Sequence, residues 1–88
     1  MSSTYDEVIT ADTVEGKVQQ LIAFWAARPA EEIDNDFNFK AGANKDRVDL
    51  LNASIAEALS SVFNVPTESI DVEPLSTVQD IINRVNNA

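Results

Sequence analysis

The sequence predicts an all-α fold, a small bundle of three longer helices and one short one. Three observations carry this. Apolar residues recur at helical spacing in three separate stretches. No stretch alternates apolar and polar residues in the way a half-buried strand does. The chain has 88 residues, which is enough for one domain with a thin core and no more.

The first helix is expected from Asp12. That residue is placed to cap it, with Glu15 three positions on reaching back as in a capping box. Val14, Val18, Leu21, Ile22 and Trp25 then share one stripe over about four turns. Pro29 is expected to stop the helix near Arg28, and Gly16 to weaken it slightly. Residues 1–11 lack periodicity and read as a flexible tail, which leaves 12–88 as the domain. Residues 29–48 form a long connection, unusual in a domain of this size without an anchor. Phe37 and Phe39 are its only aromatics, and their alternate spacing suits sending a ring inward to stitch the loop down.

The second helix is expected to begin at Asp49. Leu51, Ile55, Ala58, Leu59, Val62 and Phe63 fall within about 140° of arc. Leu50 lies outside that arc, on a face with Ser54, Glu57 and Ser61. Residues Thr67 to Asp71, between Pro66 and Pro74, suit a single turn or a short helix. Ser76-Thr77-Val78-Gln79 is a second capping-box match, read with Ser76 as the cap and Gln79 at the third helical position. Val78, Ile81, Ile82 and Val85 follow as a narrow stripe, and Arg84 suits the negative end of the helix dipole.

Composition excludes several functions. With no Cys there is no disulfide or thiolate metal site, and with no His the commonest general base and metal ligand is missing. The net charge is −9, from 15 acidic and six basic residues. That balance argues against nucleic acid and anionic lipid, and favours basic protein partners. No apolar run approaches the length of a membrane span. The first residues lack the basic and apolar regions of a secretory signal. The expectation is a cytoplasmic monomer. Glu32, Asp34 and Asp36 raise the question of acid–base chemistry or a cation site, but no His, Cys or phosphate-cradling Gly loop accompanies them. The sequence is therefore read as neither an enzyme nor a metal protein.

The order of helix, long loop, helix, short helix and helix resembles the acyl carrier protein family over residues 13–86. The resemblance rests on Val18-x-x-Leu21-Ile22, on Glu31-Glu32-Ile33 followed by Phe39, and on Leu59 and Phe63 ahead of an acidic loop. It closes on Ser76-Thr77-Val78-Gln79-Asp80-Ile81-Ile82, its most specific piece. The resemblance implies an antiparallel four-helix bundle of the acyl-carrier type, with the long loop between helices I and II. It also implies thioester cargo on a phosphopantetheine arm, attached to a Ser at the start of helix II.

Registered on Phe63 and the closing motif, the attachment position is Asp49, between Val48 and Leu50. A carboxylate there would give a hydrolysable acyl phosphate instead of a durable phosphodiester, so the arm is expected to be absent. Asp49 is instead expected to cap the helix, a role worth about 0.3–2 kcal/mol. Ser54 superficially fits the attachment motif, but lies inside the helix and breaks the downstream register. In the family, helix II is also the recognition surface. By resemblance, Leu50, Ser54, Glu57 and Ser61 are the partner-binding residues, meeting synthase, transferase or modifying enzymes. The implied setting is polyketide, nonribosomal peptide or fatty-acid biosynthesis. The alternative is a regulatory or interaction module that keeps the fold and carries nothing.

Overall fold

Each of the three apolar stripes forms an α-helix in the computed structural model, which describes residues 9–87. Helix α1 spans Val14–Ala26, α2 spans Lys45–Phe63 and α3 spans Val78–Asn86. Two single 3₁₀ turns, Ala30–Glu32 and Thr67–Ser69, sit in the connections. Among the described residues no strand forms; Asn38 and Thr77 make one isolated antiparallel bridge. The short helix expected after Pro66 is thus one 3₁₀ turn of three residues. Pro66 precedes it and Ile70 leaves it in an extended conformation, so nothing propagates it into an α-helix. Among the described residues the architecture is therefore three α-helices, with a single 3₁₀ turn in place of the expected short helix.

The buried side chains are those the stripes present: Val18, Leu21, Ile22 and Ala23 from α1, and Leu51, Ile55, Ala58 and Leu59 from α2. Ala56 of α2 joins them, just beyond the edge of the expected arc. From α3 come Val78, Ile81 and Ile82, and the connections add Ile33, Ile70, Val72 and Leu75. Each large side chain so buried contributes roughly 1.5–3 kcal/mol of transfer free energy. Helix α1 lies against α3, and the 3₁₀ turn at Ala30 closes against α1. The radius of gyration is 11.9 Å, close to the ~12 Å of a compact chain of this length.

The helix starts differ from expectation. At α1 the cap is Thr13, whose Oγ1 accepts from the Gly16 N–H at 3.0 Å; Asp12 does not cap. The third helical residue is then Gly16, so no side chain reaches back and no box forms. The helix ends at Ala26, before Arg28, because Ala27 turns into the left-handed region at φ 58° and its N–H bonds the Ala23 carbonyl.

At α3 the capping box lies one residue later than expected. Thr77 Oγ1 accepts from the Asp80 N–H at 3.2 Å, and Asp80 Oδ2 accepts from the N–H groups of Thr77 at 3.1 Å and Ser76 at 3.0 Å. The N–H of Gln79, which a box on Ser76 would need, instead donates to the Asn35 carbonyl at 3.0 Å.

The long connection is stitched to the start of α3 by backbone bonds. Phe39 N–H donates to Ser76 O at 3.0 Å, and Val78 N–H donates to Phe37 O at 3.1 Å. Both Phe37 and Phe39 are half-buried against the core, so the loop is fastened by two rings and a short ladder. Lys40 adds a clamp: its ammonium donates to the carbonyls of Val72 and Glu73, both at 2.9 Å. Burial lowers the Lys40 pKa, against the opposing pull of the Glu73 and Asp71 carboxylates.

Residues 1–8 of the expected tail lie outside the described residues, as does Ala88. Residues 9–11 are held on α1. Thr10 and Ala11 N–H donate to Gln20 Oε1 at 2.8 and 2.9 Å, and Ile9 packs on the core.

Gly16 makes this contact possible. A Cβ added there would stand 2.6 Å from Ala11 Cβ and 3.0 Å from Thr13 Oγ1. Alanine is the better helix former by about 1 kcal/mol, so propensity alone favours Gly16→Ala. The collision reverses that sign. The expected result is a loss of about 1–3 kcal/mol in urea denaturation; a more stable variant would show that the 9–11 segment yields at no cost.

Asp80 gives a pH-dependent prediction. The backbone N–H of Ser76, then that of Thr77, hold its carboxyl below the usual range, the Thr77 hydroxyl adds to this and burial opposes it. The folded value is depressed, so the group's contribution is present above the unfolded pKa of about 3.9 and is lost as pH falls through the folded one. Asp80→Asn is expected to cost about 1 kcal/mol at neutral pH. The gap from wild type should close on acidification below the unfolded value. A gap that stays constant to low pH would rule out the charged cap.

Candidate functional site

The candidate site is the outward face of α2. Its geometry starts from the cap. Asn44, extended at φ −78° and ψ 174°, accepts from the Arg47 N–H on Oδ1 at 2.8 Å and opens the helix at Lys45. Asp49 is therefore not the N-cap. It is the fifth helical residue, more than one turn inside, and its side chain is exposed. The correction has a local cause. Asn is as good a cap as Asp. Lys45-Asp46-Arg47 contains no helix breaker, and Asp46 places a negative charge in the first turn, where the dipole favours it. Those signals are present in the sequence, and the boundary at Asp49 that the resemblance implies lies four residues too late.

Leu50 keeps its place. It is 50% exposed, one of two large apolar side chains left so open among the described residues. At 100° per residue, Leu50, Ser54, Glu57 and Ser61 fall within about 60° of arc along about 16 Å of helix. The structure thus brings the four expected partner-binding residues onto one stripe. Leu50, Glu57 and Ser61 are exposed, and Ser54 is half-buried. Asp49 flanks the stripe, about 80° from Glu57. The first hydroxyl in α2 is Ser54, its tenth residue.

At its far end α2 stops at Phe63. Asn64 takes the left-handed conformation at φ 55°, and the Ser60 hydroxyl donates to the Val65 carbonyl. Further acids are exposed on the connections before and after α2 in the chain. Glu31, Glu32, Asp34 and Asp36 are exposed on one, and Glu68, Asp71 and Glu73 on the other. Among the described residues no group of three or more acids converges in a way that could hold a metal ion. No helix there is long and apolar enough to cross a membrane.

Two further elements had no local signal. Lys40 clamps carbonyls 32 and 33 residues away. Asn35 gathers Gln19, Glu15 and Gln79 at 3.0–3.3 Å, joining α1 to α3. Both depend on contacts that only the folded chain creates.

In comparisons with known proteins, no family model matched the chain, and neither a curated protein nor a solved structure matched it.

Proposed function

We propose that this chain is a docking protein of acyl-carrier type, working beside polyketide, nonribosomal peptide or fatty-acid synthesis enzymes without a phosphopantetheine arm of its own. The single observation that carries the reading is the α2 stripe. It is a weakly charged face with an exposed Leu50 near its start, on a chain whose neighbouring connections also expose acids. A stripe of this kind suits a partner that grips one apolar side chain and is steered by charge around it. The three helices in their order, with a long stitched loop before the second, support the carrier-type fold.

The residues do not fit attachment of the arm. The registered position holds a carboxylate, it lies within a helical turn instead of at a helix start, and none of the first nine residues of α2 carries a hydroxyl. A carrier that must be loaded there lacks the nucleophile. A partner that only docks requires none.

Two experiments test the reading. Intact mass after incubation with coenzyme A and a permissive phosphopantetheinyl transferase is expected to be unchanged for the wild type. Asp49→Ser is expected to gain one adduct. An adduct on the wild type overturns the unloaded state, and a folded Asp49→Ser that stays unmodified overturns the register. For docking, the binding of purified synthase and transferase domains is measured with wild type and Leu50→Asp. Leu50→Asp should weaken binding at least about tenfold, the scale of a modest hot spot. It should leave stability within about 0.5 kcal/mol, as befits an exposed site. Equal binding by both proteins would move the interface off α2.

A further inference from the structure

A cavity of about 350 Å³ opens on the side of α2 away from Asp49, where the end of α1 and the long connection meet the helix start. Its walls include the rings of Trp25, Phe37 and Phe39, and the side chain of Leu51. Arg28 and Arg47, two of the six cationic residues of the chain, also line it. On the α2 helix wheel Arg47 and Leu51 lie 40° apart, and Asp49 is about 160° from each. Arg47 is within about 60° of Leu50, so the cavity borders the head of the proposed docking stripe, which runs on from Leu50 to Ser61 away from the cavity along the helix.

We propose that this cavity binds a small aromatic carboxylate. The aromatic walls suit a flat apolar body, which stacks offset or edge-on against such rings. The guanidinium fork suits a carboxylate, because its donors match both oxygens in one plane. Both cations are held in position yet keep donors to offer. Arg47 Nη2 makes one long bond to the Trp25 carbonyl at 3.4 Å. Arg28 lies 5.9 Å from the centre of the Phe37 ring. Its pair with Glu32 is stretched to 4.0 Å, with both side chains more than half exposed. A pair of that kind contributes little, so a ligand carboxylate can replace it at small cost.

The site is preformed. Phe37 and Phe39 are fixed by their backbone bonds to Val78 and Ser76. Gly42, at φ 76°, turns the chain along the cavity wall, and a Cβ there would meet nothing within 4 Å. The positive end of the α2 dipole begins just beyond, at Lys45. The overall charge of −9 sets the ligand class further. Each extra negative charge on a ligand is repelled by the molecule as a whole, so a monoanion with an apolar body is favoured over phosphate.

The test uses benzoate, with benzamide as its uncharged match. Two readouts follow the cavity directly: fluorescence of Trp25, the only Trp of the chain, and the amide resonances of Gly42, Ala43 and Arg47. Benzoate is expected to shift these saturably, with benzamide at least about tenfold weaker, the scale of a lost charge-assisted hydrogen bond. Arg28→Gln and Arg47→Gln should each weaken benzoate by about fivefold or more, with circular dichroism and thermal midpoint showing that each variant is folded. Ser61→Asp, on the docking stripe but about 21 Å along the helix from Arg47, should bind benzoate as the wild type does, which separates this site from the docking stripe. Equal binding of benzoate and benzamide would overturn the proposal. So would benzoate binding that survives both arginine substitutions, or shifts produced by inorganic phosphate but not by benzoate.

Discussion

The constraint on which the rest of the structure depends is the short ladder between the long connection and the start of α3. Three backbone bonds, from Phe39 to Ser76, from Val78 to Phe37 and from Gln79 to Asn35, hold it together. A connection this long would otherwise leave its backbone groups to water and carry a large conformational entropy. Fastened here, it does three things at once. It orders two half-buried aromatic rings over the core. It supplies the cavity wall opposite Arg47. It also decides where α3 begins, because the N–H of Gln79 is already engaged and the box must form on Thr77 and Asp80.

Among the described residues every fully buried side chain is apolar. The core is therefore non-directional, since hydrophobic burial favours contact without prescribing one geometry. Polar contacts at the margins supply the missing direction. Gln20 fixes the entering chain on α1. Asn35 joins α1 to α3 through three side chains. Lys40 fastens the connection before α2 to the one after it. Each bond is worth about 1 kcal/mol or less where it is exposed. Their effect is to select one arrangement of three helices that the core alone would leave loosely specified.

The helix bodies were legible in the sequence, and their first residues were not. Stripes such as Leu51, Ile55 and Leu59 are local repeats, so their spacing shows the buried face without knowledge of the fold. Caps are different, because neighbouring residues offer equivalent oxygens. Asp12 and Thr13 both qualify, and Thr13 caps where Ala11 packs against Gly16. Ser76 and Thr77 both qualify, and Thr77 caps where Gln79 is bonded to Asn35. Asn44 and Asp49 both qualify, and the earlier one caps because nothing between them interrupts the helix. The first of the three choices turns on a contact five residues apart, and the second on a partner 44 residues away. The third turns on local propensity, and the register set by the resemblance outweighed it. The four-residue stripe around Leu50 was legible for the same reason as the core: helical spacing groups these residues wherever the helix begins.

The four extra residues at the head of α2 matter beyond the boundary. They move the positive end of the helix dipole about 6 Å away from Asp49, toward Gly42 and the arginine-lined cavity. Asp49 then loses the electrostatic reason for a carboxylate that a helix start would have supplied, and Asp46 acquires it. What remains for Asp49 is an exposed negative charge next to Leu50, flanking a stripe whose one charge is Glu57. On the proposed docking role, Asp49 and Glu57 lie to one side of Leu50 on the helix wheel and Arg47 to the other, so a partner pocket that takes Leu50 suits cations on the carboxylate side of its rim. The acids exposed on the two connections add to the field of the molecule as a whole, which reaches about 8 Å at physiological salt. Attraction at that distance sets the encounter rate, and the apolar contact sets how long the pair stays together. The same division explains why α2 does not need to be strongly acidic itself. Orientation comes from charge placed around the stripe, and the stripe is left free for packing.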